Sequence, residues 1–254
     1  MLFNPKKTFD QNLKKVFGVN LNESKLHLNK CRIKFGLETS VSFNQSLRLD
    51  RSQEFIFSAI ALCKKVKVRK ILEFGTFSGE STLVLRALFP SASITTIDRV
   101  EPYLTSNDNS TQRDQVKELR RKNIEKANAK LILKDSALVS QKELEEYDLI
   151  WLDGDHTYPV VVIDVANALN SLNQDGFLIM DDICKHVSIS NLILRQYIST
   201  ESWKTLVRLA RPWGLDTVLF PKKLNLFQYL PGRRREMAVV RKETIQSVTE
   251  KASK

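Results

Sequence analysis

The chain has 254 residues, 42% of them apolar and 27% charged, with a formal net charge of +11. That suits one large globular domain, or one domain with extensions, and is long enough to bury a sizeable core. The longest apolar stretch near the start of the fold, Phe55 to Cys63, is broken by Ser58 and is too short to span a bilayer.

Residues 1–20 carry Lys6, Lys7, Lys14 and Lys15 but no apolar core of a secretory signal. Cys31, Cys63 and Cys184 are odd in number and lack metal-type spacing, which suits a reduced, cytoplasmic setting. The charge is zoned: +10 over residues 1–70, −7 over 71–185 and +8 over 186–254. An acidic middle between basic ends points to an anionic partner near the ends; ordinary solvated lysines are the blander explanation.

Residues 1–50 show few periodic cues and are expected to be an extension that covers an acceptor or makes an oligomer contact. His27 stands in no motif and is expected at the surface. From residue 51 onward the pattern alternates. Phe55, Ala59, Ile60 and Cys63 share one helical face. Five short apolar runs follow, at Ile71–Phe74, Ile94–Ile97, Leu131–Leu133, Leu149–Leu152 and Phe177–Met180, each bounded by turn or charged residues as strands buried on both faces are. Between them, Thr82–Phe89, the Val116–Leu119–Asn123–Ala127 set and Val161–Leu172 read as helices, with Pro159 in a first turn. Strand and helix in alternation predict a parallel α/β sheet. A helix is expected near Val187–Ile198, then strands at Lys204–Leu209 and Met237–Arg241. The Pro- and Gly-rich stretch from about 210 to 236 reads as an inserted hairpin or lid.

Each predicted strand ends at an acid: Glu73, Asp98, Asp135, Asp153 and Asp181. Ligands of open α/β sheets bind beyond the carboxyl ends of the strands, so five acids should converge on one rim. The first loop, "ILEFGTFSGEST", has Gly75 and Gly79 at E-x-G-x-x-x-G spacing, neither the dinucleotide fingerprint nor a phosphate loop. Glu73 would repel a pyrophosphate and welcome an ammonium group. Asp98, 25 residues further on, can accept from two ribose hydroxyls.

The segment from about Ser52 to Asp182 resembles class I S-adenosylmethionine-dependent methyltransferases. "LEFGTFSGEST" is similar to the first motif of metal-dependent small-molecule O-methyltransferases, and "WLDGDHTY" with "DGFLIMDD" resembles bacterial methyltransferases with a DGDH motif. The resemblance implies a Rossmann-like, mostly parallel seven-stranded sheet with helices on both faces and the last strand antiparallel. It implies S-adenosylmethionine held by Glu73, Gly75, Thr76, Gly79, Ser81 and Asp98, with Asp135 and Ser136 beside the adenine; a simple helix cap is the alternative for Ser136. It further implies Mg²⁺ or another divalent cation on Asp153, Asp181 and Asp182, although Asp182 stands where the family has Asn. His156 stands where the family has a lysine base, and a histidine can take a hydroxyl proton near neutrality. Asp155 could orient it, and Lys185 or His186 could replace it. A small, hydroxylated acceptor, anionic or a sugar, is expected, touched by Arg233, Arg234 and Arg235. A homodimer is the family's leaning. An RNA methyltransferase, suggested by the basic ends and "GRRRE", a noncatalytic module and a Rossmann oxidoreductase are the competing readings.

Overall fold

The computed structural model describes residues 4–37, 51–102, 110–183, 197–210, 215–222, 224 and 235–242. Seven strands form one sheet: β1 (Lys70–Phe74), β2 (Ser93–Asp98), β3 (Lys130–Leu133), β4 (Tyr147–Leu152), β5 (Leu172–Ile183), β6 (Asp216–Pro221) and β7 (Glu236–Arg241). Their order is β3-β2-β1-β4-β5-β7-β6. The pairings among β1 to β5 are parallel, and β7 runs antiparallel to both neighbours. This is the expected Rossmann-like sheet. All five apolar runs are strands, with β5 longer than its apolar run.

Strict alternation in these strands sends side chains to two separate cores. Ile71, Leu149, Trp151, Phe177, Ile179 and Val239 face one. Leu72, Phe74, Ile150, Leu152, Leu178 and Val240 face the other. The first core is covered by α1 (Pro5–Phe17), α2 (Leu21–Phe35), α3 (Arg51–Leu62) and α4 (Glu80–Leu88), with α5 (Ser110–Ala127) packed beside α4. The second is covered by α6 (Val160–Asn170) and α7 (Tyr197–Ala210). The β-branched run Val160–Ile163 is the first turn of α6, as its helical spacing predicts.

The N-terminal segment holds more structure than its weak periodicity suggests. Asn4 caps α1 by accepting from the Lys7 amide, and Asn20 with Glu23 forms a complete capping box on α2. Phe9 and Phe17 meet Phe220 of β6 at ring-centroid distances of 5.3 and 6.2 Å. Both helices therefore share the sheet's own core. His27 is half-buried rather than a surface residue, its Nδ1 3.0 Å from the Ser58 hydroxyl.

Two readings of the C-terminal third need correction, and a third falls mostly outside the described residues. Lys204–Leu209 is not a strand but lies inside α7, where Ser202, Leu206 and Ala210 recur every four residues on the buried face. The sixth strand lies instead at Asp216–Pro221, inside the stretch expected to be a hairpin or lid, and pairs antiparallel with β7. Of the helix expected at Val187–Ile198, only Tyr197 and Ile198 fall among the described residues, at the start of α7. Residues 211–214, 223 and 225–234 of the hairpin or lid stretch lie outside them, as do Cys184, Lys185 and His186, so Arg233 and Arg234 are among those not described. Among the described residues, no helix is long and apolar enough to cross a membrane.

Candidate active site

Parallel register brings the carboxyl ends of β2, β1, β4 and β5 side by side: Ile97 pairs with Phe74, Phe74 with Leu152 and Leu152 with Met180. Asp98, Gly75, Asp153 and Asp181 are the next residues along, so the expected acids do gather on one edge. They do not share one environment.

Glu73 points inward and is fully buried. Its carboxylate accepts from the Ser81 hydroxyl and, at 2.5 Å, from Thr82 Oγ1, both in the first turn of α4. Burial pushes its pKa up to about 7 against those bonds. Glu73 thus ties the loop to α4, and a bound ammonium would have to reach it through that loop. Gly75 has φ of +91°, and a Cβ there would lie 2.2 Å from the Asp153 carbonyl oxygen. Only glycine lets the β1 and β4 ends approach so closely. Gly79, at φ +78°, begins α4 with a bare backbone. Thr76 Oγ1 lies 2.5 Å from Thr96 Oγ1, which locks the loop to β2.

Asp98 accepts from the Phe77 amide at 2.6 Å and the Arg99 amide at 2.7 Å, and Arg120 lies 3.4 Å from it. Burial raises its pKa in spite of these partners. Each oxygen keeps a second lone pair, and the side chain is still 17% exposed. That is the chemistry two vicinal hydroxyls need. Arg99 bridges the next two strand ends, 3.6 Å from Asp135 and 2.6 Å from Asp155. Asp135 caps a short turn by accepting from the Ala137 amide. Ser136 is not that cap; its hydroxyl donates to Asp164 of α6 at 3.0 Å. Asp164 is fully buried, its other oxygen lacks a partner among the described residues, and burial lifts its pKa to about 7.

After β4, Asp155 does not orient His156. It accepts from both the amide and the hydroxyl of Thr157 and pairs with Arg99; burial opposes its ionisation, but these bonds hold its pKa below the usual range. His156 instead lies with Nε2 3.7 Å from Asp153 and Nδ1 3.4 Å from the Ser202 hydroxyl of α7. Its side chain is 15% exposed. Burial disfavours its charge, but Asp153, then Asp182 and Asp181, outweigh that and raise its pKa.

The expected divalent-cation ligands are differently engaged. Lys222, just beyond β6, donates to Asp181 at 2.5 Å and to Asp182 at 2.8 Å. Gln53 of α3 also donates to Asp181, and Arg235 donates to Asp182. Burial and the neighbouring Asp153 push the Asp181 carboxyl up, while Lys222 and Arg235 overcome burial to hold Asp182 down. Among the described residues, no three His, Cys, Asp or Glu side chains are arranged to hold a metal ion. Asp153, Asp181 and Asp182 as found do not fit a divalent cation, because the Lys222 ammonium and the Arg235 guanidinium already engage both oxygens of Asp182 and one of Asp181. Sequence reading missed Lys222, Gln53, Arg99, Arg120, Asp164 and Ser202. All reach the rim from segments with no motif of their own; a strand assignment at Asp216–Pro221 would have drawn attention to Lys222.

Strand order, the glycine loop under Glu73 and the acid ending β2 together are those of the class I methyltransferase fold. Residues 72–183 match the family described as a methyltransferase domain. No curated protein matches the chain. Among solved structures it is similar to the O-methyltransferase TomG from Streptomyces achromogenes, in complex with S-adenosylmethionine (13% identity, 96% of this chain and 100% of that one, TM-score 0.50). It is also similar to a methyltransferase from Streptococcus mutans (13% identity, 77% and 49%, TM-score 0.50). A third is an O-methyltransferase from Bacillus cereus (16% identity, 93% and 99%, TM-score 0.49). At these identities the likeness is one of fold.

Proposed function

We propose that this chain transfers a methyl group from S-adenosylmethionine to a hydroxyl of a small acceptor, with His156 as the base. The observation that carries the reading is the rim itself: a partly exposed carboxylate at Asp98, after β2, and an imidazole at His156, after β4 on the same edge, 3.7 Å from Asp153. Asp98 would hold the ribose, and Gly75, Thr76 and Gly79 would shape the methionine side of the pocket. Glu73, through Ser81 and Thr82, would keep that loop in form. Asp135 and Ser136 would border the adenine.

When bound, the sulfonium supplies an already reactive methyl group. What the protein must add is alignment and proton removal. Holding the acceptor oxygen in line lowers the entropic cost of reaction, an effect worth several kcal/mol or more. Neutral His156 accepts the hydroxyl proton as the new oxygen–carbon bond forms, and Asp153 stabilises the resulting imidazolium. The sulfur keeps the electron pair of the broken bond and leaves uncharged. Arg235, 42% exposed beside Asp182, supports an anionic acceptor. Residues 1–50 and about 210–236 are assigned the acceptor side, and a homodimer in the cytoplasm completes the proposal.

Calorimetry tests its foundation. Asp98→Ala is expected to weaken S-adenosylmethionine binding by about tenfold or more, as loss of a charge-assisted hydrogen bond of about 1.5–3 kcal/mol implies. Unchanged affinity would refute the assignment of the site; NADH serves as the control.

A further inference from the structure

We propose that the ammonium of Lys222 stands in the place of a divalent cation in this carboxylate cluster, so that the site works without a metal. The inference deepens the methyltransferase reading and rests on it only for what the site is used for.

Consider the oxygens a cation would need. Asp182 has one engaged by Lys222 at 2.8 Å and the other by Arg235. Asp181 has one shared between Lys222, at 2.5 Å, and Gln53. Its second oxygen is buried and has no hydrogen-bond partner among the described residues. Only Asp153 remains at the open side, 3.7 Å from His156. Hard cations of this kind ask for six or more oxygens, with little tolerance for a neighbouring positive charge.

Lys222 is also anchored at its root. Its amide donates to the Arg235 carbonyl at 3.1 Å, and its own carbonyl accepts from Ser52 Oγ at 2.5 Å. The ammonium therefore enters from a fixed backbone position and is only 16% exposed along its side chain. Charge points the same way. Two fixed cations, Lys222 and Arg235, already face Asp181 and Asp182. A divalent ion added to that set would make it cationic.

An ammonium carries three donors. Among the described residues Lys222 directs bonds at two carboxylates, which leaves capacity for an acceptor oxygen beside Asp153 and His156. It would stabilise a developing alkoxide or phenolate by charge and hydrogen bonding, as a bound cation would.

The test is binding of Mn²⁺ alone to the full chain, followed by electron paramagnetic resonance. The wild type is expected to show no saturable site that Asp182→Asn removes. Lys222→Ala and the longer Lys222→Gln are each expected to gain such a site, about tenfold or more tighter than any in the wild type. A wild-type Mn²⁺ site lost in Asp182→Asn would overturn the proposal without recourse to any lysine variant. So would either lysine variant that still binds S-adenosylmethionine yet gains no ion. Cofactor binding is measured in parallel, so loss of the methyltransferase reading and loss of the lysine's role give different results.

Discussion

His156, partly buried, and Glu73, fully buried, are titratable groups whose environments act in opposite senses on function and stability. The pKa of His156 is raised above the ordinary 6.5, with Asp153 the main source of the rise after burial has opposed it. A general base works when neutral, so activity should climb with pH along a limb centred above pH 6.5. Asp153→Asn should move that limb to lower pH, and His156→Ala should cut turnover by about 10²–10⁴-fold; a limb unmoved in Asp153→Asn would separate the two residues. Glu73 is a carboxyl whose folded pKa, about 7, exceeds its ordinary 4.5. Its contribution to stability is complete below about pH 4.5 and is lost as pH rises through about 7. Glu73→Gln removes that loss. Its stability relative to the wild type should therefore grow by on the order of 1–3 kcal/mol between pH 5 and pH 8, as read by chemical denaturation at each pH.

The elements at the rim are held together by close backbone approach as well as by long side chains. Gly75 lets β1 and β4 end almost in contact, with no room for a methyl group before the Asp153 carbonyl. Gly75→Ala is expected to destabilise by at least about 1–2 kcal/mol from its positive φ alone, and more from the clash. Because Asp153 carries that carbonyl, the variant should also lose cofactor affinity, which calorimetry and thermal unfolding would report together. Behind the rim, Trp151 of β4 stacks edge-on against Phe57 of α3 at 5.0 Å. The same helix delivers Ser52 and Gln53 to the cluster, so core packing sets where those side chains stand. Lys204–Leu209 was legible as apolar but not as helix, since a six-residue window cannot separate period 2 from period 3.6. The four-residue recurrence of Ser202, Leu206 and Ala210 needs the whole of α7.

At the scale of the molecule, α1 and α2 are a layer of the sheet's own core. Phe9, Leu13, Phe17 and Leu28 are buried within it. A chain starting at Arg51 would expose the face of β6 and β7 that α1 covers, and with β6 the segment carrying Lys222. Such a truncation is expected to lose near-ultraviolet dichroism and cooperative unfolding; a cooperative, cofactor-binding fragment would show that the helices are dispensable. The zoned charge takes a partial meaning from the fold. Lys222 and Arg235, from the basic C-terminal zone, meet the acidic zone at Asp181 and Asp182. Some of the separation along the sequence is therefore cancelled in space.

The alternation of apolar runs and helical faces was enough, from sequence alone, to set the parallel strands β1 to β5, because residues buried on both faces of a strand leave an unbroken local signature. The acids after those runs were legible for the same reason: strand ends are local, and parallel strands bring their ends together. What each acid does was not legible. Glu73 and Asp98 are both acids at neighbouring strands, yet one is sealed under α4 and the other faces the open edge; that difference depends on which hydroxyls and amides pack against them. Likewise "MDD" reads as a cation site until a lysine 40 residues beyond Asp182 arrives between its carboxylates. Strand β6 brings it there by pairing with β7, and such nonlocal pairing leaves no mark in either segment by itself.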